Sequence, residues 1–280
     1  MRKLLLVFFC IPFISVAQPF HITAWGGFAG YQGDLESKRI KINQTDVAFG
    51  LGLKYDLTTH LSIRTGFNYG KIKADDKGNE PILQARNLSF QSKIIEGNLM
   101  LEYSLINSSK SLFTPYVFAG IGIFHFNPYA YDTLGNKIFL KPLSTEGQGL
   151  SQYPDRKPYK LTQFAIPFGG GLRLKVADNI TIGYELGLRK LFTDYLDDVS
   201  SRYVDPVILA QAKGAKVVEM AFRGGEVKNS LAVYPAEGSI RGGAKFKDWY
   251  YFHGIIVTIG LNTGGIKNGK RGSTACPKVI

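Results

Sequence analysis

Apolar and polar residues alternate along eight segments of this chain, each about as long as a strand that crosses a membrane. In the clearest segment, residues 47–55, every odd position is a large apolar or aromatic residue and every even position is small or charged. A period of two puts one kind of residue on each face of a β-strand. The number and length of the segments favour a closed barrel with its apolar face towards lipid.

The predicted strands are joined alternately by short and long connections. They lie near residues 20–31, 46–56, 61–71, 87–103, 113–126, 164–174, 180–189 and 248–262, and the two longest loops span 127–160 and 192–247. Outer-membrane barrels have short periplasmic turns and long extracellular loops. The pattern therefore predicts an all-β chain that forms an eight-stranded antiparallel transmembrane β-barrel with both termini in the periplasm.

The N-terminus has the pattern of a secretory signal. Arg2 and Lys3 precede an apolar run over 4–16, which is too short to span a bilayer. Small residues before Gln18 predict cleavage there, and Cys10 follows residues too bulky for a lipoprotein site, so we expect it to be removed. The expected regions are a signal peptide (1–17), an outer-membrane barrel (18–262) and a basic periplasmic tail (263–280).

Composition agrees with an exported barrel. The chain has 32 glycines, 19 phenylalanines and 15 tyrosines in 280 residues, and its formal net charge is +12. Because the basic residues are spread over loops, interior positions and the tail, we expect attraction to outer-membrane lipid or acidic partners rather than nucleic acid. A soluble lipocalin-like barrel also alternates, but an exported one would more often carry disulfides, and only Cys276 remains after cleavage.

Several charged residues fall on the inward face of the predicted strands. They are Lys54, Arg64, Glu96, Glu102, Arg173, Lys175, Glu185 and Arg189. Five of them, Lys54, Arg64, Glu102, Arg173 and Lys175, are expected towards the periplasmic end. An eight-stranded barrel has room for side chains but not for a wide channel, and buried opposite charges must pair. We therefore expect a charge network that braces the barrel rather than a transport path.

Aromatic residues near the predicted strand ends suggest girdles at the two membrane interfaces. On the outer side these are Tyr31, Tyr69, Phe126, Tyr159, Phe192, Tyr195, Trp249 and Tyr251, and on the inner side Tyr55 and Tyr103.

The sequence offers little that resembles a catalytic site. The histidines, His21, His60, His125 and His253, have no metal-ligand spacing, and no G-x-S-x-G motif is present. His125 and Asp194 could lie at a similar height near the outer rim, which leaves a lipid enzyme as a weak hypothesis. We expect no catalytic residues and no cofactor.

Acidic residues are densest in the last long loop. Asp194, Asp197, Asp198 and Asp205 could offer oxygen ligands to calcium, but their spacing departs from the EF-hand pattern. A solvated or salt-bridged loop is the expected alternative, with Arg202, Arg223 and Arg241 as candidate partners. Asp194, Asp197 and Asp198 therefore remain weak metal candidates only.

An ordered set of short motifs resembles the PorG-like outer-membrane barrels of Bacteroidetes. The motifs are Tyr31-Gln32-Gly33-Asp34-Leu35, then Thr193 to Ser200 (TDYLDDVS) followed by Tyr203, then Arg241-Gly242, Lys247-Asp248-Trp249-Tyr250 and the terminal Cys276-Pro277. Together they cover most of the predicted mature chain.

The resemblance implies a non-enzymatic accessory of the type IX protein secretion system that contacts periplasmic secretion proteins. Lys267, Lys270, Arg271 and Cys276 in the tail would be placed to touch such a partner. The alternative function is a surface binding or adhesion barrel that acts through its extracellular loops, because the loop over 192–247 is long enough to be functional.

Overall fold

The computed structural model describes residues 20–36, 44–107, 111–228 and 232–261. Within them eight long antiparallel strands form a closed barrel: β1 Phe20–Gln32, β2 Asp46–Asp56, β3 Leu61–Asp75, β4 Ser89–Ser104, β5 Phe113–His125, β8 Thr162–Ala177, β9 Ile180–Leu191 and β10 Trp249–Leu261. β1 closes the barrel because Phe20 pairs with Tyr55 of β2 on one side and with Leu261 of β10 on the other. The predicted fold class is confirmed.

The two ends of the barrel differ. Among the described residues, 57–60, 105–107, 111–112 and 178–179 make the short-turn end, and 33–36, 44–45, 76–88, 126–161, 192–228 and 232–248 make the long-loop end. β3 runs four residues beyond its predicted end, to Asp75, and a hairpin of β6 Tyr129–Tyr131 and β7 Lys137–Phe139 extends the sheet beside β4. The sheet therefore continues past the apolar part of the wall at the long-loop end.

The outer wall is apolar, as the alternation predicts. Leu51, Ile121 and Phe164 are 64%, 66% and 68% exposed on it. On β3 the outward positions from Leu61 to Tyr69 are aliphatic or aromatic apart from one threonine. Eight residue steps span about 26 Å along a strand, or about 20 Å along the axis of a barrel tilted by about 40°. That height is close to the apolar band of about 25 Å in outer-membrane barrels.

The interior has two layers. Charged side chains fill the half nearer the short turns, whereas the half nearer the long loops is packed by an apolar cluster that includes Ile72, Phe90, Ile94 and Phe124. The cluster continues out of the barrel through Met220 and neighbouring loop residues. The wall and the long loops therefore share one hydrophobic core.

Several aromatics predicted for the outer girdle belong to this core instead. Tyr31, Phe126 and Tyr159 are nearly fully buried in it, and Tyr159 stacks on Tyr195 at a ring-centroid distance of 4.9 Å. Tyr31 occupies the inward row of β1, and Phe126 and Tyr159 lie beyond strand ends, where the period of two no longer fixes the face. The girdle prediction is wrong for these residues.

The two longest loops fold into a compact cap, which we define as residues 126–161 and 192–248, described apart from 229–231. Its helices α2 Pro206–Lys213 and α3 Ala215–Ala221 pack around Leu209, Val217 and Ala221. The cap also contains 3-10 turns at Lys141–Leu143 and Gly224–Glu226, and outside it α1 Pro81–Arg86 follows a 3-10 turn at Asp76–Gly78. Among the described residues, no helix has the length and apolarity needed to cross a membrane.

Asp205 belongs to helix α2 rather than to an acidic ligand set. Its carboxylate accepts hydrogen bonds from the amides of Val207 (2.7 Å) and Ile208 (3.1 Å), and Pro206 occupies the first helical position. An aspartate before a proline is a helix-start signal that the sequence contains. The predicted signal peptide with Cys10, and the tail with Lys267, Lys270, Arg271 and Cys276, lie outside the described residues.

Candidate functional site

Segments far apart in the sequence meet at the floor of the cap. They are the turn after β1, a short stretch of the first cap loop, the segment 193–200, the glycines after Arg241 and the residue before β10. They bring a set of acidic side chains together over the mouth of the barrel, which we call the acidic cluster: Asp34, Glu146, Asp194, Asp197, Asp198 and Asp248. Four of the five motifs that carry the family resemblance therefore contribute to one site, and the fifth, Cys276-Pro277, lies outside the described residues.

Glu146 and Arg241 form the centre of the acidic cluster. Arg241 donates to Glu146 Oε1 at 3.0 Å, and both side chains are almost fully buried. The Glu146 carboxylate also accepts the backbone amides of Ser200 (2.9 Å) and Ser201 (3.0 Å) and the Ser201 hydroxyl (2.7 Å). A buried ion pair whose remaining lone pairs accept hydrogen bonds fixes the conformation of the segments that supply it.

Asp198 locks the same region from a second side. Its carboxylate accepts hydrogen bonds from the hydroxyls of Thr145 (2.5 Å) and Tyr159 (2.7 Å), and its backbone carbonyl accepts from Arg241 (2.7 Å). The residue has a φ of 68°, a left-handed conformation that aspartate tolerates better than most side chains. The left-handed backbone conformation and the two hydrogen bonds to the carboxylate therefore both favour aspartate at position 198.

Tyr31 ties the barrel to the cap. Its hydroxyl lies 2.6 Å from Asp197 Oδ2 and 3.3 Å from Asp248 Oδ1. Asp197 also accepts the amide of Val199 (2.9 Å), and Asp248 accepts the amide of Leu196 (2.8 Å). The Tyr31 hydroxyl has one proton to donate, so Asp197 and Asp248 share it.

Asp34 and Asp194 complete the acidic cluster near the glycines after Arg241. Both Asp34 oxygens accept the amide of Gly243, at 2.9 and 3.0 Å. Gly242 has no room for a side chain, since a Cβ there would lie 2.4 Å from Asp34 Oδ2 and 2.8 Å from the amide of Ser200. Asp194 is 3% exposed; Oδ2 accepts from the Ser200 hydroxyl (2.7 Å), and Oδ1 has no partner among the described residues.

The cluster holds more carboxyl groups than cations, and burial shifts their titration. Burial raises the pKa of Asp194 to about 7 and the pKa values of Asp34 and Asp198 to about 6. The pKa values of Asp197 and Asp248 are raised well above the usual range, first by burial and then by neighbouring carboxylates. The cluster therefore retains protons near neutral pH and titrates as coupled groups.

The carboxylates of Asp197 and Asp198 face hydrogen-bond donors rather than a shared cation position. In the part of the chain that the structure describes, no group of three or more His, Cys, Asp or Glu is arranged to hold a metal ion. The oxygens of Asp197 and Asp198 face hydroxyl and amide donors, whose positive ends would repel a cation. The weak metal prediction for Asp194, Asp197 and Asp198 receives no support from this geometry.

The arginines expected near these acids divide between the cluster and the surface. Arg241 lies in the cluster, whereas Arg202 donates to Gly238 O (2.7 Å) and Arg223 pairs with Glu226 (2.8 Å). Sequence reasoning missed Arg86, which pairs with Asp76 and donates to the carbonyls of Asp34 (2.8 Å) and Arg241. The period of two does not extend to residues outside the strands, such as Arg86 at the end of α1 and Glu146 in the first cap loop.

Inside the barrel, the predicted charges pair in two groups. In the group nearer the short turns, Glu102 lies between Lys54 (3.1 Å), Arg64 (3.7 Å) and Arg173, and Arg64 also contacts Glu185 at 2.6 Å. The fully buried Glu102 thus faces three cations from three other strands.

The second group lies nearer the cap. Arg189 contacts Glu96 at 2.9 Å, and Glu96 also accepts hydrogen bonds from Tyr250 (2.6 Å), Asn68 (2.7 Å) and Asn98 (2.7 Å). Lys175 departs from the expected network: it is one-third exposed and pairs with Asp178 in the turn at 3.1 Å. The register of β8 shifts between Lys175 and Ala177, which ends the regular alternation there.

These side chains fill the lumen. The cavity that remains between Arg64, Asn98, Glu185 and their neighbours measures about 30 Å³. About 10–15 Å³ is needed for one water molecule, so the cavity holds about two waters. An open aqueous path does not cross the described part of the barrel at this level.

The residues considered for catalysis lie in different surroundings. His125 is exposed on the outer wall, where its Nδ1 lies 3.0 Å from the Thr162 hydroxyl, whereas Asp194 is buried in the acidic cluster. His21 pairs with Asp56 at 2.9 Å, and His253 lies 2.8 Å from the Tyr184 hydroxyl. The structure therefore does not assemble the weak His125 and Asp194 pair.

A groove of about 690 Å³ opens on the cap beside the acidic cluster. Its walls are largely apolar and include Phe222, Val233 and Ile240, and its floor includes Asp34 and Arg241. Val233 is 82% exposed and Ile240 is 72% exposed. The motif residues Asp34, Arg241 and Gly242 therefore line part of a surface groove.

Fold and site together define a closed eight-stranded barrel with a filled lumen and a packed cap. The chain belongs to the family described as "Domain of unknown function (DUF6089)", whose model matches residues 2–206. No curated protein matches the chain.

Solved barrels share the general architecture at low identity. Neisserial surface protein A is 10% identical over 86% of this chain and 96% of its own, with a TM-score of 0.41. Ail from Yersinia pestis, in complex with the heparin analogue sucrose octasulfate, is 9% identical over 88% and 100%, with a TM-score of 0.42. The outer membrane protein OprG from Pseudomonas aeruginosa is 12% identical over 86% and 97%, with a TM-score of 0.41.

Proposed function

We propose that this chain spans the outer membrane of a Gram-negative envelope, with the cap outside the cell and both termini in the periplasm. The apolar wall supports this placement, because outward residues such as Leu51 and Ile121 would be costly to leave in water over a continuous belt. The difference in loop length supports the orientation. Fractionation of cells tests the membrane location, and protease treatment of intact cells tests the orientation.

Within that membrane, the proposed role is a non-enzymatic, structural accessory of the type IX protein secretion machinery that contacts periplasmic partners. One observation carries the structural part: the lumen is filled by paired charges and closed by a packed cap, which suits a scaffold better than a pore. The resemblance of the cap motifs to PorG-like barrels supports the link to secretion.

Deletion and complementation test this role. Deletion is expected to abolish secretion, and the chain truncated after Asn262 is expected to insert in the membrane without restoring secretion or partner co-purification. Charge reversal of Lys267, Lys270 and Arg271 is expected to give the same loss. The matched control reverses three exposed lysines at the other end of the molecule, Lys157, Lys160 and Lys245, and is expected to complement fully. Full complementation by the truncated chain would show that the tail is not needed for secretion.

The second candidate function is a surface binding barrel, and the groove on the cap favours it. Replacing Val233 and Ile240 by aspartate is expected to abolish adherence of cells that carry the protein and to leave secretion intact. Phe246→Asp is the control, since Phe246 is 76% exposed on the cap but does not line the groove. Unchanged adherence of the double variant would exclude binding through the groove.

A further inference from the structure

Lysines gather on the outer wall of the barrel just above its apolar belt. Lys71 and Lys73 project outwards from the end of β3, and Lys93 projects outwards from the start of β4 directly opposite Lys71 in the register. The hairpin of β6 and β7 adds Lys137, whose Nζ lies 3.8 Å from the centre of the Tyr129 ring. We call these four residues the lysine patch: Lys71, Lys73, Lys93 and Lys137.

The lysine patch begins where the apolar belt ends. The next outward row below Lys71 and Lys93 is Tyr69 and Ile95, and Tyr69 packs against Phe49 of β2 at a ring-centroid distance of 5.3 Å. An aromatic row at the edge of an apolar wall is typical of the interface between acyl chains and head groups. The lysines one step further along the strands therefore lie at the depth of lipid head groups.

The positive charge of the patch is only partly neutralised by the protein. Asp46 lies 3.6 Å from Lys71 and 3.5 Å from Lys73, so one carboxylate serves two cations. The other nearby carboxylate, Asp75, caps the turn at Lys77 through the backbone amide of that residue. Lys93 is exposed and has no ionic partner among the described residues. At least two positive charges of the patch therefore remain unmatched.

We propose that the lysine patch binds the phosphate groups of a lipid head group in the leaflet at the long-loop end. The ligand chemistry follows from the position and the charge: the acyl chains would lie along the wall below Tyr69 while three or four ammonium groups contact the phosphate oxygens. Clustered basic residues beside an apolar wall bind anionic lipids with a favourable contribution from each lysine. The inference rests on the proposed membrane location and goes beyond it by naming the binding face and the head-group chemistry.

The test measures binding of purified, detergent-solubilised full-length protein to lipid A by native mass spectrometry. The probes are bisphosphorylated lipid A, the same lipid A after removal of both phosphates, and inorganic pyrophosphate as a phosphate without acyl chains. The wild type is expected to prefer the phosphorylated lipid by about tenfold or more, because each lysine at a membrane surface contributes about fivefold. Pyrophosphate is expected to compete weakly.

The variant Lys71→Gln, Lys73→Gln, Lys93→Gln is expected to lose that preference. Lys190→Gln is the matched control, because Lys190 is exposed and outward on the far wall, at the long-loop end of β9, and lies outside the patch. Faster migration of unheated protein in gel electrophoresis shows that each variant is still a folded barrel. Equal preference in the triple variant, equal loss in Lys190→Gln, or full competition by pyrophosphate would each overturn the proposal. None of these results would affect membrane fractionation, which tests the location.

Discussion

Arg241 gives the sharpest test of the acidic cluster. The variant Arg241→Met removes the only guanidinium that pairs with the Glu146 carboxylate among the described residues, together with hydrogen bonds to the carbonyls of Asp198 (2.7 Å) and Ala221 (3.2 Å). Removing one partner of a buried ion pair costs about 3–5 kcal/mol, because the other charge stays buried without compensation. We expect the cap to open about 150- to 5,000-fold more often while the barrel stays folded.

Hydrogen exchange in detergent micelles measures this opening directly. The amides of Ser200 and Ser201 bond to Glu146, so they report on the cluster itself, while amides of β2 report on the barrel. The control is Arg202→Met, in the same loop, which removes one hydrogen bond to Gly238 O and is expected to cost about 0.5–1.5 kcal/mol.

A double variant separates ion pairing from packing. Glu146→Gln added to Arg241→Met removes the stranded carboxylate, and we expect it to recover about 1–2 kcal/mol of the loss. Equal protection of the cap amides in Arg241→Met and Arg202→Met would refute the central role of the pair. If the double variant lost more stability than the two single variants lose in total, the electrostatic explanation would be refuted.

Three further predictions follow from the cluster, the lumen and the wall. Burial raises the pKa of Asp194 to about 7 from its ordinary value near 4, so the folded cap binds more protons than the unfolded chain between these pH values. Cap stability is therefore expected to increase by on the order of 1–2 kcal/mol from pH 7.5 to 5. In a pH series of exchange measurements, Asp194→Asn is expected to weaken this dependence. Glu102→Gln leaves Arg173 without a carboxylate partner and takes one of two partners from Lys54 and from Arg64. It is expected to destabilise the barrel by about 3–5 kcal/mol in guanidinium unfolding from lipid vesicles, whereas a loss below about 1 kcal/mol would contradict a bracing network. Leu51→Arg is expected to cost about 2–4 kcal/mol in the same assay, and a neutral result would place that face of β2 in water.

The strands were predictable from sequence because one physical rule governs every position in them. Outward residues such as Leu51 meet an apolar medium and inward residues such as Arg64 meet a crowded polar lumen, so the period of two is visible directly. The pairing of inward charges followed from the cost of burying them alone.

The cap was not predictable in the same way. Glu146 lies in one cap loop, and Asp198 and Arg241 lie 43 residues apart in the other, so only the tertiary fold brings them to one point and no local pattern links them. Two residues carried a local signal for their true roles. Asp205, expected among the acidic residues, precedes Pro206 and starts helix α2, and Tyr31, expected in the outer girdle, lies on the inward row of β1. The short motifs showed which segments matter, but their sequence did not show that these segments form one buried site.

The lipid-facing wall is the claim on which the rest depends, and depth-dependent fluorescence quenching tests it directly. In a chain with Cys10 and Cys276 replaced by serine, single cysteines at Leu51 and Ile121 would carry an environment-sensitive dye, with Phe246 in the cap as the control. After insertion into vesicles, lipids with brominated acyl chains are expected to quench the dyes at Leu51 and Ile121, and an aqueous quencher is expected to reach only Phe246. Quenching of the Leu51 and Ile121 dyes by the aqueous reagent alone would show that water, not hydrocarbon, covers the barrel.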